Sequence, residues 1–469
     1  MSGLFGVVSS RDCSEILFYG TDYHSHLGTQ KAGLAVFNSR IKRSIHSIAT
    51  SQFKSKFAND LSGLKGKMGI GVISDFEPQP IIISASFGNF ALAVNGFLAN
   101  KDKLVREVMS RKGSFSEISS GQLNAVEVIG KLIASQDSVV EGLKYLSEKI
   151  VGAASLLVLA REGIYAVRDR VGRTPLTVGK KGNKLAIASE TSAFANLGLK
   201  SIRQLLPGEI LLLGRNGLEE KAPGREKEKI CAFLWIYTGF PASTYSSQSV
   251  ELARERCGEN LARNDSVGAD LVAGVPDSGI AHALGYARQS GLPYRRPLVK
   301  YTAGYGRSYT PPSQEIRDRV AKMKLVAIKE VIAGNKIIIC DDSIVRGTQL
   351  KNQGLKKLWK NEAKEVHVRI ACPPLMFPCR YCLSTRTRKE LAARRILTKI
   401  LGRKVIDKEA REYLDERKSN YKKMVQMTGR ELGASSLKYQ TVADMVAAIG
   451  LPREKLCLEC WLGREEKEE

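Results

Sequence analysis

One segment constrains the fold more than any other part of the sequence: the apolar run Lys336–Cys340 and the residues that follow it. A continuous apolar run of this kind is typical of a strand buried on both faces of a parallel sheet. Two adjacent carboxylates, Asp341 and Asp342, come where the strand stops, and a helix is predicted over Gln349–Trp359. Strand, paired acids, a glycine-containing loop and a helix in that order predict a ligand-binding loop.

The chemistry of this loop suits a phosphorylated ribose. Asp341 and Asp342 can accept hydrogen bonds from two ribose hydroxyls and lie near a bound Mg²⁺. The backbone N–H groups of Ser343–Thr348, at a helix N-terminus, favour a phosphate dianion. Gly347 lets the backbone approach the ligand closely, and Arg346 adds a fixed positive charge. An ordinary surface turn with two acids is the weaker alternative.

The surrounding sequence repeats a strand–loop–helix pattern. Ala269–Val275 is predicted as a strand, Pro276–Gly279 as a tight loop and Ile280–Gln289 as a helix, and Glu365–Ile370 as a further strand. This βαβ arrangement predicts an open α/β sheet, in which ligands bind at the carboxyl ends of the strands.

The N-terminal half has a different pattern. Short apolar runs alternate with Gly- and Asn-containing turns as far as about Lys221, which predicts strands, with helices over Lys101–Met109 and Leu123–Ala134. A chain of 469 residues is too long for one ordinary core. We therefore predict one domain over residues 1–221, a charged linker over 222–230 and a second domain over 231–469.

Composition limits the classes of protein to consider. No long uncharged apolar stretch and no signal-peptide pattern are evident, so a cytoplasmic protein without a membrane partner is expected. The net charge of +25 suits phosphate-rich substrates, and no zinc-finger or RNA-recognition signature predicts a nucleic-acid partner. The basic run from Arg386 to Lys404 is opposed in sequence only by Glu390, and is interpreted as a solvated helical face.

The segment 339–348 resembles the signature of the glutamine phosphoribosyl-pyrophosphate amidotransferase family. The resemblance covers nearly the whole chain, except for a basic insertion at about 392–428. Further matching segments are Val275–Gly279, Ala283–Ala287, Gly291–Tyr294, Pro312–Glu315 and Ala363–Ile370, and in the N-terminal half Gly28, Ala32-Gly33, Asn95-Gly96, Ala188–Glu190 and Pro207–Glu209.

The resemblance implies both the fold and the reaction. The expected fold is an α+β N-terminal nucleophile (Ntn) glutaminase-like domain followed by an α/β type I phosphoribosyltransferase domain. The implied reaction forms 5-phosphoribosylamine from phosphoribosyl pyrophosphate and ammonia in purine biosynthesis, with Mg²⁺. Asp277 and Ser278 would hold the pyrophosphate, while Lys300 and Arg307 would belong to a flap that closes over it. A homo-oligomer, either a tetramer or a dimer, is also implied.

The N-terminal half departs from the family pattern at the residues that handle glutamine. Ser2 stands where the family has its nucleophilic Cys, and a hydroxyl is a much poorer nucleophile than a thiol. Ser74 replaces the Arg that clamps the substrate carboxylate, and Ala125 replaces the acid that binds its α-amine. Asn95 and Gly96, the oxyanion-hole positions, remain. We therefore predict that glutamine hydrolysis has been lost.

The cysteines divide into two groups. Four of them match positions that hold a [4Fe–4S] cluster in some family members: Cys231, Cys379, Cys457 and Cys460. Zn²⁺ is an alternative, because Cys382 forms a second Cys-x-x-Cys pair with Cys379, and unliganded thiols are a third interpretation. The others are expected to be buried: Cys13, Cys257, Cys340 and Cys372.

Three functional hypotheses remain open. The first is a working transferase that uses free ammonia, or ammonia delivered by an active glutaminase or amidotransferase subunit. The second is a catalytically silent regulatory or structural paralogue that binds phosphoribosyl pyrophosphate beside an intact amidotransferase. Departures from the family pattern in the flap segment 301–307 favour the second. The third is full glutamine-dependent activity through Ser2.

Overall fold

The computed structural model describes residues 2–119, 121–301, 325–381, 385 and 387–463. The chain forms two compact units, one of residues 1–231 with 242–246, the other of residues 232–241 with 247–469. Within the described ranges, no helix combines the length and the apolar character needed to cross a membrane.

The first unit is built on two antiparallel sheets. The strands of the first sheet, in spatial order, are Lys200–Gln204, Thr177–Lys181, Lys184–Ala188, Gly3–Val8, Met68–Ser74, Lys31–Asn38 and Arg40–Ser47. Those of the second sheet are Gly217–Ala222, Ile210–Gly214, Gly163–Val167, Gly152–Leu159, Gly88–Leu98 and Ile81–Ala85. A short hairpin pairs Ile118–Ser119 with Gln122–Leu123, and Ile230–Cys231 and Thr244–Tyr245 are short strands.

The inner strands of these sheets are buried on both faces, which explains their continuous apolar runs, whereas edge strands such as Arg40–Ser47 and Lys200–Gln204 are partly exposed. Along the first sheet, Leu4 belongs to the core between the sheets, whereas Phe5 belongs to the core on the opposite face. Along the second sheet, Ala93 faces the shared core, and Leu92 faces the outer helices. Side chains alternate in this way because successive residues of a strand point to opposite faces. The result is a four-layer α/β/β/α sandwich.

Helices form the two outer layers of this sandwich. They span Ser14–Asp22, Phe53–Phe57, Lys101–Ser110, Ala125–Ala134, Val139–Lys149 and Ser192–Ala195, with a 3₁₀ helix at Ala58–Ser62. The two helices predicted in this half are confirmed, but the second begins two residues later than expected. Asn124 explains the difference, because its side chain accepts a hydrogen bond from the N–H of Val126 and so acts as the N-cap.

A parallel sheet forms the centre of the second unit. Its strands, in spatial order, are Leu271–Gly274, Lys336–Asp341, Glu365–Ile370 and Ser436–Tyr439. An antiparallel pair, Leu298–Lys300 and Leu325–Ala327, lies outside this sheet. The predicted open α/β arrangement is confirmed, and the loops after the first two strands are at the same edge of the sheet because parallel strands end together.

Helices surround the parallel sheet. The α-helices span Val250–Arg263, Ile280–Ser290, Lys329–Ile332, Lys356–Lys360, Ala392–Leu401, Asp407–Arg411, Ser419–Leu432, Val442–Ile449 and Glu459–Leu462. Turns of π-helix cover Leu234–Thr238 and Leu350–Leu355, and 3₁₀ turns cover Arg388–Glu390 and Arg453–Lys455. Gln248–Ser249 and Leu456–Cys457 are short strands. The helix predicted over Gln349–Trp359 is therefore a π-helical turn followed by an α-helix.

The basic insertion folds into helices with their own small core. Ile396 and Leu397 of the helix Ala392–Leu401 pack with Met424 and with Met376. The interpretation of the basic run as a solvated face is wrong for Arg394, whose side chain is 4% exposed. It pairs with Asp407, which lies outside the basic run in sequence. The acidic side chains that neutralise this run approach it only in the folded chain. They could not be identified from the charges of neighbouring residues in the sequence.

Candidate active site

An acidic pair is located at the carboxyl end of the strand Lys336–Asp341. Asp341 Oδ1 accepts hydrogen bonds from Ser278 Oγ at 2.9 Å and from the backbone N–H of Asp342 at 3.0 Å. Ser343 Oγ donates to Asp342 Oδ2 at 2.5 Å. The two aspartates are 8% and 5% exposed. Four of the residues predicted from the sequence are thus brought together.

Burial raises the pKa of both carboxyl groups. For Asp341, the neighbouring charge of Asp342 raises the pKa further. For Asp342, hydrogen bonds that include one from Ser343 oppose the effect of burial, and the pKa is still raised. Two buried carboxylates side by side are stabilised by a cation. Mg²⁺ suits this pair, because it is commonly held by one or two carboxylates together with substrate phosphates.

The loop before the helix Ile280–Ser290 is tied directly to this strand end. The N–H of Val275 donates to the carbonyl of Cys340 at 2.9 Å. A Cβ on Gly279 would lie 2.1 Å from the same carbonyl oxygen, so only glycine allows this approach. Lys300 Nζ lies 2.5 Å from Asp277 Oδ2. The structure therefore brings the predicted residues Asp277, Ser278 and Lys300 to the acidic pair or to the loop beside it.

The loop Ser343–Thr348 turns through a left-handed residue. Gly347 has φ +74°, a conformation that favours glycine, and its carbonyl accepts a hydrogen bond from the N–H of Lys351 at 2.9 Å. The guanidinium of Arg346 pairs with the carboxylate of Glu390. Arg346 is 65% exposed, so its side chain is accessible to a ligand from solvent.

Sequence reasoning missed one cation near the acidic pair. Arg254 is 4% exposed, and it donates to the backbone carbonyls of Trp235, Tyr237 and Gly239. Its charge lowers the pKa of Asp342, in opposition to burial. No motif marks Arg254, because it lies within the ordinary amphipathic helix Val250–Arg263. Two other predicted residues, Arg307 and Cys382, lie outside the described residues.

A second polar site surrounds Ser2 in the first unit. The backbone N–H of Ser2 donates to Asn95 Oδ1 at 3.0 Å, and Ser2 Oγ is 3.5 Å from Ser74 Oγ. Ser2 is 5% exposed. A Cβ on Gly96 would lie 2.3 Å from the carbonyl oxygen of Ala153, so close strand packing accounts for this glycine. The structure thus places Ser2 beside the predicted oxyanion-hole position Asn95.

Two acids lie next to the positions of Ser74 and Ala125. Ser74 is followed by Asp75, which accepts a hydrogen bond from Thr29 Oγ1 at 2.9 Å. The N–H of Ala125 donates to Glu77 Oε1 at 3.2 Å. Burial raises the pKa of Glu77. Acidic side chains at these positions would not stabilise the carboxylate of a bound glutamine.

A buried network next to the site uses two histidines. His26 Nε2 is 3.1 Å from Glu190 Oε1. Burial would raise the pKa of Glu190, but hydrogen bonds, first among them that from His26, lower it. Burial lowers the pKa of His24 to about 4, so this ring is neutral, with Nδ1 donating to the carbonyl of Gly20 at 2.8 Å. These contacts account for both histidines without a catalytic role.

Cys13 is not placed to replace the missing nucleophile. Its side chain is fully buried, and burial raises the pKa of the thiol to about 12. A thiol with so high a pKa is not ionised near neutral pH and is inert. The expectation of burial is confirmed for this residue, and equally for Cys257, Cys340 and Cys372.

Comparisons with known proteins agree with this architecture. A family model described as a glutamine amidotransferase domain matches residues 67–196. An amidophosphoribosyltransferase of Methanocaldococcus jannaschii is 32% identical, over 99% of this chain and 97% of that protein. One of Bacillus subtilis is 31% identical, over 98% of this chain and 93% of that protein.

This chain belongs to the amidophosphoribosyltransferase family. The solved structure of the B. subtilis glutamine phosphoribosylpyrophosphate amidotransferase complexed with ADP and GMP matches with a TM-score of 0.84 and 30% identity, over 99% of this chain and 97% of that one. The first unit is therefore an Ntn-type glutamine amidotransferase domain, and the second is a phosphoribosyltransferase domain, as the resemblance implied.

In the second unit, the chain just before Cys379 lies beside the segment Cys457–Cys460. Hydrogen bonds from the N–H groups of Met376 and Phe377 to the carbonyl of Cys460, at 3.0 and 3.1 Å, place the chain just before Cys379 beside the Cys-x-x-Cys segment. Over the residues that are described, no three His, Cys, Asp or Glu side chains are grouped so that they could hold a metal ion. The cluster or zinc site stays a prediction.

Proposed function

We propose that this chain makes 5-phosphoribosylamine from phosphoribosyl pyrophosphate and ammonia, and that its N-terminal domain does not hydrolyse glutamine. The observation that carries the proposal is the buried acidic pair Asp341–Asp342 with its phosphate-type loop, in a chain whose glutamine-handling positions have changed. Family membership supports the transferase chemistry.

In the proposed reaction, the nitrogen lone pair of ammonia attacks the anomeric carbon of the ribose. A C–N bond forms, the C–O bond to pyrophosphate breaks, and the leaving group takes the bonding electrons. The attacking nitrogen loses one proton to solvent. Catalysis of this kind is mostly positioning and charge stabilisation, and no strong base is required.

The residues of the acidic pair and of its neighbouring loops have proposed roles in this step. Asp341 and Asp342 would bind the ribose hydroxyls and would hold Mg²⁺, which would neutralise charge on the leaving pyrophosphate. Ser343–Thr348 binds the 5-phosphate through backbone N–H groups. Lys300 and the loop of Asp277 and Ser278 bind the pyrophosphate.

Loss of glutamine hydrolysis follows from three changes that reinforce one another. The hydroxyl of Ser2 is a weaker nucleophile than the family's thiol. Ser74 cannot make the bidentate ion pair that an Arg makes with the substrate carboxylate. Ala125 offers no carboxylate to the substrate amine, and the Glu77 carboxylate at its backbone N–H has a pKa that burial raises. Ammonia would therefore come from solution or from an active glutaminase or amidotransferase subunit.

The test of the transferase is pyrophosphate release from phosphoribosyl pyrophosphate with Mg²⁺ and ammonium chloride. We expect the wild-type chain to release pyrophosphate. Asp342→Asn should reduce this rate by about 100-fold or more, because the variant lacks a carboxylate that stabilises charge in the transition state. If substrate binds in calorimetry without turnover, the chain is the silent paralogue that the altered flap segment 301–307 favours. Absence of both binding and turnover would refute both functions.

A further inference from the structure

The loop Ser343–Thr348 is contacted by the residues that open the basic insertion. The N–H of Ala392 donates to the carbonyl of Val345 at 2.7 Å. Arg395 Nη2 donates to the carbonyl of Arg346 at 2.7 Å, and its Nη1 donates to the carbonyl of Glu390 at 3.1 Å. Successive carbonyls of the loop are thus held from one helix end.

Side-chain contacts also connect the loop Ser343–Thr348 to the residues around the start of the insertion. Glu390 pairs with the guanidinium of Arg346, and it also accepts a hydrogen bond from the N–H of Thr387 at 3.2 Å, as part of a capping box. A Cβ on Gly347 would lie 3.0 Å from Leu432 and 4.0 Å from Ala392. The far side of the loop therefore rests on the helices Ala392–Leu401 and Ser419–Leu432.

We propose that Arg395 and Glu390 form a brace for the phosphate loop: Arg395 positions its backbone, and Glu390 holds the Arg346 side chain until a ligand phosphate replaces the carboxylate. The inference rests on the proposed function, because the phosphate is that of the proposed substrate. Arg395 acts through the loop and is a positioning residue, not a catalytic one.

The charges involved favour replacement of the Glu390 carboxylate by a ligand phosphate at Arg346. A phosphate dianion carries more charge than a carboxylate and accepts bidentate hydrogen bonds from a guanidinium. The Arg346–Glu390 pair is partly exposed, with side chains 65% and 26% accessible, so it costs little to break. Glu390 was visible in the sequence as the lone acid of the basic run, but sequence alone did not show that it reaches the loop.

The two residues predict opposite effects on the Michaelis constant. Arg395→Ala should raise the KM for phosphoribosyl pyrophosphate about five- to tenfold with kcat nearly unchanged, because it removes binding rather than transition-state interactions. Arg395→Lys should recover part of this loss. Glu390→Gln keeps an acceptor for the cap but removes the competing charge, so KM should fall about two- to fivefold. A general loss of folding would lower kcat in both variants.

Hydrogen exchange of the ligand-free full chain provides a test that does not require turnover. Peptides covering residues 343–350 should exchange at least about threefold faster in Arg395→Ala than in wild type. The matched control is Lys399→Ala on the same helix as Arg395. Lys399 pairs with Glu431 of the helix Ser419–Leu432, which Arg395 Nη2 also approaches at 4.0 Å, so the control removes a contact to Glu431 and leaves the hydrogen bonds of Arg395 to the loop.

Equal exchange in Arg395→Ala and Lys399→Ala, or a higher KM in Glu390→Gln, would overturn the brace. If the wild type does not turn over phosphoribosyl pyrophosphate, the proposed function fails, and the exchange comparison still decides whether the brace exists.

Discussion

Two hydrogen bonds hold the side chain of Asp341 in place, one from Ser278 Oγ at 2.9 Å and one from the N–H of Asp342 at 3.0 Å, and both end on Oδ1. Burial and the neighbouring carboxylate raise its pKa. A raised folded-state pKa means that the ionised form destabilises the fold near neutral pH, and that this cost falls as the pH is lowered. Ionised Asp341 therefore carries a stability cost near neutral pH, as its proposed role in substrate binding would explain.

Because the Asp341 charge costs stability but is proposed to serve the reaction, Asp341→Asn should have opposite effects on stability and activity. The amide oxygen can accept both hydrogen bonds, and the unfavourable charge is removed. We expect Tm to rise by about 1–3 °C, while ammonia-dependent pyrophosphate release falls by about 100-fold. Calorimetric melting and the pyrophosphate assay measure the two effects. A lower Tm with unchanged turnover would contradict this account of the pair.

Ser2→Cys tests whether the nucleophile alone was lost. Because Ser74 and Ala125 cannot bind the two charged ends of glutamine, we expect the variant to release no more glutamate from glutamine than wild type does. Ser2→Ala is the matched control for background. Glutamate release by the cysteine variant well above this background would mean that other residues bind the charged ends of glutamine.

At the scale of elements, one buried ion pair joins a helix end to the central sheet. Asp265 follows the helix Val250–Arg263 and pairs with Arg369 in the strand Glu365–Ile370, and the two side chains are 8% and 3% exposed. Tyr286 Oη also donates to Asp265 Oδ2 at 2.8 Å. Burial would raise the pKa of Asp265, but the hydrogen bond and the charge of Arg369 lower it.

Asp265→Asn should destabilise the second unit by about 3 kcal/mol at pH 7, because a buried guanidinium loses its charged partner. Because the pKa of Asp265 is lower in the folded state than in the unfolded state, its ionised form stabilises the fold above the unfolded-state pKa of about 4. This stabilisation is lost as the pH falls through the folded-state pKa. The difference between wild type and variant should therefore shrink below about pH 4. Urea unfolding at pH 7 and at acidic pH measures this. Asp415→Asn, at an exposed pair with Arg417, is the control.

Elements with strong local patterns were predictable from the sequence, and tertiary pairings were not. The strand Glu365–Ile370 has the bounds predicted from the sequence, whereas the helix Ala125–Ala134 was predicted two residues too early because its N-cap Asn124 was included in the predicted helix. The loop around Asp341 was found because strand, acids and glycine are contiguous. Arg254 and Arg395 were missed as parts of the site, since each reaches it from a helix whose contacts depend on long-range packing.

At the scale of the whole molecule, the two domains are proposed to differ in whether their chemistry is kept. The second domain keeps the buried acids, the glycine turn and the cationic groups that a phosphorylated ribose requires. The first keeps its four-layer sandwich, in which close strand packing accounts for Gly96 and Asn95 accepts a hydrogen bond from the N–H of Ser2. If glutamine hydrolysis is lost as proposed, the fold persists because core packing and substrate binding depend on different residues.

The most direct measurement compares two nitrogen sources with one preparation of the full chain. Pyrophosphate and glutamate release are followed with phosphoribosyl pyrophosphate and Mg²⁺, with ammonium chloride in one reaction and ammonia-free glutamine in the other. The account predicts pyrophosphate release with ammonium, and neither product with glutamine. Pyrophosphate and glutamate released together from the glutamine reaction would contradict it, because Ser2 would then be a working nucleophile.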